Sequence, residues 1–204
     1  MPRRRPASAL LLALLLVTGC TTLKRCTYEG FGREGWQEPE RVVQTLGLRP
    51  GDHVADLGSG SGYFTFRLAR AVGPTGKVYA VDIDEAMNAD LRERVKQEGL
   101  QNVEVLQATP DDPRLPPGAI DLVFTSNTYH LMKDRPAYFG RLKKHLKPAG
   151  RVAIVDFDRR GWTRFFGHYT ELETIKAEMR AAGYRLTAEH TFLSKQSFLV
   201  FSRG

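Results

Sequence analysis

Val54-Ala55-Asp56-Leu57-Gly58-Ser59-Gly60-Ser61-Gly62-Tyr63-Phe64-Thr65 decides how the rest of the chain is read. Apolar residues run into an acid, glycines follow at 58, 60 and 62, and an aromatic-led apolar pattern begins. This order reads as strand, Gly-rich turn and helix start. Glycine lacks a Cβ, so it enters φ > 0 and lets a ligand lie against bare backbone. The helix beyond offers free N–H groups and a partial positive charge to the turn. A ligand with a carboxylate or phosphate suits such a place. The dinucleotide pattern G-x-G-x-x-G needs Gly at 63, where Tyr stands.

Working outward, the chain alternates strands and helices. Residues 53–57 form the first buried strand, and Phe64, Leu68 and Val72 give the helix over 63–72 its apolar face. Strands follow over 77–83, 103–107, 120–126 and 151–157. Helices are expected over 85–98, 135–146 and 171–182, with Thr170 as N-cap and Glu173 completing a capping box. Lys147-Pro148-Ala149-Gly150 reads as a turn. Residues 184–192 and 196–203 are two strands joined closely enough that they must run antiparallel. The expected fold is α/β: a doubly wound, Rossmann-like, seven-stranded and mostly parallel sheet with a C-terminal antiparallel hairpin.

The N-terminus carries a separate signal. Pro2-Arg3-Arg4-Arg5 precedes the apolar run Ala9–Val17, then Thr18-Gly19-Cys20. This is the pattern of a signal peptide. The run is too short to span a bilayer, which takes about 20 residues. Val17-Thr18-Gly19-Cys20 resembles a bacterial lipobox, which implies lipidation of Cys20 and a membrane anchor. The expected organisation is a signal peptide over 1–19, a lipidated Cys and linker over 20–35, and one domain over 36–204. The expected location is the bacterial envelope, or the cytoplasm if the true start lies downstream.

Composition narrows the function classes. Net charge is +7, and Arg3, Arg4 and Arg5 would leave with the leader. The other basic residues are scattered among acids, which speaks for a solvated surface and against a nucleic-acid stripe. Both cysteines, Cys20 and Cys26, lie near the N-terminus, so a disulfide framework and a Cys-ligated metal site are excluded. No histidines pair at i, i+4, and no metal site is expected.

Asp82 ends the second strand, 20 residues past Gly62, where an acid can accept both hydroxyls of a ribose. Asp84 is its competitor, less favoured because strand alternation turns Asp82 and Ile83 to opposite faces. Thr125-Ser126-Asn127-Thr128-Tyr129-His130 closes the fourth strand, and ligands in a doubly wound sheet sit beyond the strands' carboxyl ends. Tyr129 and His130 are therefore the candidates to face a reacting partner, either orienting it or, for His130, taking its proton.

Residues 36–204 resemble class I S-adenosylmethionine (SAM)-dependent methyltransferases, most closely small quinone-biosynthesis-type members. The resemblance rests on Val54–Thr65, Val78–Met87, Ile120–His130 and Leu146–Ile154, in order and at the family's spacing. It implies SAM as methyl donor. By that likeness Asp56, Gly58, Gly60 and Gly62 lie along its methionine part and Asp82 holds its ribose. Asp111 borders its adenine, and Ser59, Ile83 and Asn127 join the cofactor-binding set. The implied function is methyl transfer to a small-molecule or lipid-like acceptor. An envelope lipoprotein keeping the fold as a non-catalytic binding module is the alternative. An NAD-dependent oxidoreductase is a third reading, weakened by Tyr63. SAM is kept in the cytosol, whereas the lipobox points outward, so the two inferences pull apart.

Overall fold

The computed structural model describes residues 32–159 and 169–204. Two short helices, α1 (Arg33–Gln37) and α2 (Pro39–Thr45), lead into β1 (His53–Leu57). Then come α3 (Thr65–Val72), β2 (Lys77–Asp82), α4 (Glu85–Gln97) and β3 (Val103–Gln107). A loop without a helix connects to β4 (Ile120–Ser126). The chain continues through α5 (Arg135–Leu142), β5 (Leu146–Phe157), α6 (Leu172–Ala181), β6 (Tyr184–His190) and β7 (Gln196–Arg203).

The seven strands lie in the order β3-β2-β1-β4-β5-β7-β6. The four pairings that join β3, β2, β1, β4 and β5 are parallel, and β7 is antiparallel to both β5 and β6. The expected doubly wound sheet with its terminal hairpin is the observed one. Strand alternation splits the core into two layers. Ala55, Val123, Ile154 and Leu199 pack on one face with Phe139, Ile175 and Met179. Their neighbours Val54, Leu122, Ala153 and Val200 pack on the other with Leu46, Leu68 and Val72. Burial on both faces is why these strands read as continuous apolar runs.

One feature of this order positions the site. From β1 the chain winds outward through β2 to β3, then returns to place β4 on the other side of β1. The crevice beyond the carboxyl ends of β1 and β4 is thus the switch point, where open α/β sheets bind their ligands.

The structure corrects several boundaries. The segment read as linker up to residue 35 contains the start of α1. Its five residues are too few to show a helical period or to stand alone in water, and tertiary bonds described below hold it. The helix expected over 135–146 ends at Leu142 and tightens into a 3₁₀ turn over Lys143–His145. Strand β5 then starts at Leu146, because Ile120 pairs with Leu146 while Leu122 pairs with Arg151. The Lys147–Gly150 turn is therefore an irregularity inside the strand. The Thr170 capping box is not formed. Glu171 is the N-cap of α6 and makes no side-chain cap bond, and the buried Thr170 hydroxyl has no hydrogen-bond partner. Cys20 and the rest of the leader lie outside the described residues.

Candidate functional site

A cavity of about 830 Å³ opens at the switch point. Its floor is the Gly turn after β1. The Gly58 and Ser59 amides both donate to the Val81 carbonyl, at 2.8 and 3.1 Å. The Gly60 amide donates to Asp82 Oδ2 at 2.8 Å, and the Asp84 amide donates to Oδ1 at 2.9 Å. Gly58 has φ 80°, and a Cβ built there would stand 2.1 Å from the Thr128 hydroxyl. Only glycine lets the turn approach the β4 loop this closely. At Gly62, φ 84°, the same Cβ would meet Leu91 at 2.5 Å.

Asp56 sits behind the turn at 2% exposure. Its Oδ2 accepts from the Thr65 hydroxyl at 2.6 Å. Burial pushes its carboxyl up to about 6, with Asp82 adding to the rise; the Thr65 bond and Arg33 act against it. Two acids and a row of amides meet in one place, and Ser59 Oγ is buried there without a hydrogen-bond partner. That donor set fits SAM. Asp82 suits its ribose diol, the carboxylates suit its cationic centres, and the turn's amides and hydroxyl suit its amino-acid end.

Asp82, Asp56, Gly58, Ser59, Gly60, Ile83, Asp111 and Asn127 all line the cavity. Gly62 supports the turn from behind. Asp84 also reaches the rim, but its carboxylate caps α4 by accepting from the Ala86 and Met87 amides. Ile83 stands 61% exposed at the mouth, a large apolar side chain with a bare face. Asp111 is largely exposed and only loosely paired with Arg141, at 3.5 Å. Asn127 takes φ 56° at the end of β4, and its Oδ1 accepts from Gln196.

The two candidates for the reacting side part company. Tyr129 is fully buried in the core, and its hydroxyl donates to Glu178 Oε2 at 2.7 Å. Glu178 is also held by both arms of Arg135, at 2.8 Å each. Burial and Glu178 raise the phenol's proton affinity. Tyr129 does not line the cavity, and the expectation that it faces a reacting partner is corrected: its ring packs against Phe139 instead. His130, one residue on, does line the cavity. Its Nδ1 lies 2.8 Å from Asp156 Oδ1, and its amide donates to Asp156 Oδ2 at 2.7 Å.

Sequence reasoning missed one wall. Arg33 and Trp36 of α1 line the cavity beside Tyr63 and Phe157. The Arg33 guanidinium lies 3.8 Å above the Tyr63 ring, and burial pushes its pKa down to about 10. The Trp36 and Phe157 rings are 5.6 Å apart. α1 is fixed by Gln37, which is fully buried and donates 3.0 Å bonds to Ser126 Oγ and Gln196 Oε1. The only hint in the sequence was the density of aromatic and charged residues before Pro39.

Comparison with known proteins agrees with this geometry. The family described as a methyltransferase domain matches residues 48–196. Nocamycin O-methyltransferase of Saccharothrix syringae is 34% identical over 115 residues, covering 56% of this chain and 41% of that protein. The ubiquinone/menaquinone biosynthesis C-methyltransferase UbiE of Escherichia coli is 33% identical over 119 residues, covering 58% and 47%. The chain thus spans less than half the length of these curated relatives. Among solved structures, a SAM-dependent methyltransferase of Aquifex aeolicus superposes with a TM-score of 0.78 at 28% identity, over 91% of this chain and 97% of that one. With the switch-point cavity, the Gly turn and the strand-end acid in place, the chain belongs to the class I SAM-dependent methyltransferases.

Proposed function

We propose that this protein moves the methyl group of SAM to a small molecule held in the same cavity. One observation carries the reading: the Gly turn with Asp82 and the His130 side chain line a single space of about 830 Å³. That volume falls within the roughly 300–1,000 Å³ of small-molecule sites. The cofactor-side residues are Asp56, Gly58, Ser59, Gly60, Gly62, Asp82, Ile83, Asp111 and Asn127. The acceptor side is bounded by Trp36, His130 and Phe157. The transfer is an in-line displacement in which alignment contributes up to about 7–11 kcal/mol in favourable cases. The relatives are named for transfer to oxygen and to carbon, which supports a biosynthetic small molecule.

The test is calorimetric titration of the full chain with SAM, followed by transfer of labelled methyl to fractions of a small-molecule extract. Binding without transfer to any fraction would return the chain to a binding module. Absence of binding would remove the reading altogether.

Membrane attachment through Cys20 belongs to the same proposal. Its support is the apolar run before Thr18-Gly19-Cys20. No helix among the described residues is long and apolar enough to cross a membrane. Cell fractionation with Cys20→Ala decides it: a chain that is soluble with and without the cysteine contradicts the anchor.

A further inference from the structure

Arg33, Gln37, Gln196 and Asn127 join α1, β7 and the end of β4 in one line of hydrogen bonds. Arg33 Nε donates to Gln37 Oε1. Gln37 Nε2 donates to Ser126 Oγ and to Gln196 Oε1, at 3.0 Å each. Gln196 Nε2 donates to Asn127 Oδ1. The two glutamines have no exposure, and Arg33 and Ser126 are buried with them.

The direction of this line is fixed at its head. A guanidinium carries donors only, so the Gln37 atom facing Arg33 is its oxygen. The Gln37 nitrogen then faces Gln196, which answers with its own oxygen. The Gln196 nitrogen in turn takes the Asn127 oxygen, and the Asn127 nitrogen is left over. That nitrogen has no partner among the described residues and is not buried, on a residue that lines the cavity. Asn127 holds φ 56°, a conformation that a non-glycine residue keeps only where its surroundings impose it.

A second unused donor stands close by. Thr128, next to Asn127, meets the turn at Gly58, where a Cβ would lie 2.1 Å from the Thr128 hydroxyl. Ser59 follows Gly58, lines the cavity, and has a buried hydroxyl without a partner. The Asn127 amide and the Ser59 hydroxyl thus flank one contact. Asp56, Asp82, Asp84, Asp111 and Asp134 also line the cavity and, when ionised, offer acceptors only. The part of SAM that needs donors and repels acceptors is its carboxylate.

We infer that the Asn127 amide and the Ser59 hydroxyl hold the carboxylate of SAM, and that Gln37 and Gln196 are positioning residues through which Arg33 keeps the Asn127 nitrogen turned to the ligand. The inference rests on SAM binding in this cavity. It makes α1, the first helix of the described chain, responsible for the orientation of a donor at the end of β4.

The experiment titrates the full chain in a calorimeter with SAM and with decarboxylated SAM, which keeps the adenosine, the sulfonium and the amine but has no carboxylate. Asn127→Asp puts an acceptor where the nitrogen was. It should lower SAM affinity by about 10–100-fold, the worth of a hydrogen bond to a charged group, and leave decarboxylated SAM nearly unchanged. Gln196 does not line the cavity. Gln196→Glu cannot donate to Asn127, so the asparagine amide turns over, and the same selective loss should appear. A merely structural role would weaken both ligands alike. Equal losses for the two ligands in Asn127→Asp would overturn the carboxylate assignment. A Gln196→Glu protein that binds SAM as wild type does would overturn the relay. If Gln196→Glu does not fold, nuclear magnetic resonance of the wild-type side-chain amides carries the test. The Asn127 signal, identified by its loss in Asn127→Asp, should move with SAM and stay with decarboxylated SAM; a signal indifferent to SAM would overturn the inference. Wild type that binds neither ligand would instead remove the underlying SAM reading.

Discussion

The Gly60 amide donates to Asp82 Oδ2 at 2.8 Å, so the turn after β1 and the end of β2 are one unit. Asp82 therefore serves two ends: it shapes the turn and offers acceptors to a diol. Asp82→Ala removes both. Hydrogen bonds to charged groups are worth about 1.5–3 kcal/mol, so SAM affinity should fall by that amount in a calorimetric titration. Asp84→Ala should leave SAM affinity nearly intact and instead weaken α4 by about 1 kcal/mol, the value of a lost N-cap.

Asp56 gives a pH signature. Its carboxyl is pushed from 3.8 up to about 6, chiefly by burial. The folded state therefore binds this proton more tightly than the unfolded state does. Stability from this group is full below about pH 4 and is lost as pH rises to about 6. Asp56→Asn keeps an acceptor for Thr65 and removes the penalty. It should be more stable than wild type at pH 7 by an order of 1–3 kcal/mol, at 1.36 kcal/mol per pKa unit, with the gap closing at pH 4. Urea melts at the two pH values measure it.

The contact between the Gly turn and the β4 loop is testable with alanine. At Gly58 the new Cβ would enter the Thr128 side chain at a positive φ, whereas at Gly73 it would meet nothing within 4 Å at φ 67°. Gly73→Ala, at φ 67° and ψ −177°, should cost about 1–3 kcal/mol from the backbone alone. Gly58→Ala should cost clearly more and also displace Thr128 from the cavity wall. Thermal melts of the pair separate strain from collision.

Gln37 ties α1 over the cavity. Gln37→Ala leaves buried groups of Ser126 and Gln196 without that donor, a cost of about 1–3 kcal/mol. Amide hydrogen exchange should accelerate in α1 while the central strands stay protected.

Much of this was legible in the sequence for a physical reason. Strands buried on both faces are apolar throughout, and a turn that a ligand and a neighbouring loop approach closely must be glycine. Val54–Gly62 and Asp82 could be read on those grounds. Other features leave no local trace. α1 is too short for a period and exists through Gln37, whose partners lie 89 and 159 positions away. Asp156 looks like a stray acid at the end of an apolar strand until the fold brings His130 beside it, 26 positions distant. Tyr129 and His130 looked equivalent because a 3₁₀ turn, unlike a strand, sends neighbours in directions that alternation does not foresee. Thr170 and Glu173 had the spacing of a capping box, but spacing does not set where the helix begins.

The central claim is that the switch-point cavity is a SAM site. Titration of the full chain with SAM in a calorimeter tests it most directly. The expected result is saturable one-site binding that Asp82→Ala weakens while its circular dichroism stays that of the wild type. A folded wild-type chain that releases no heat with SAM, or an Asp82→Ala protein that binds it equally well, would contradict the account.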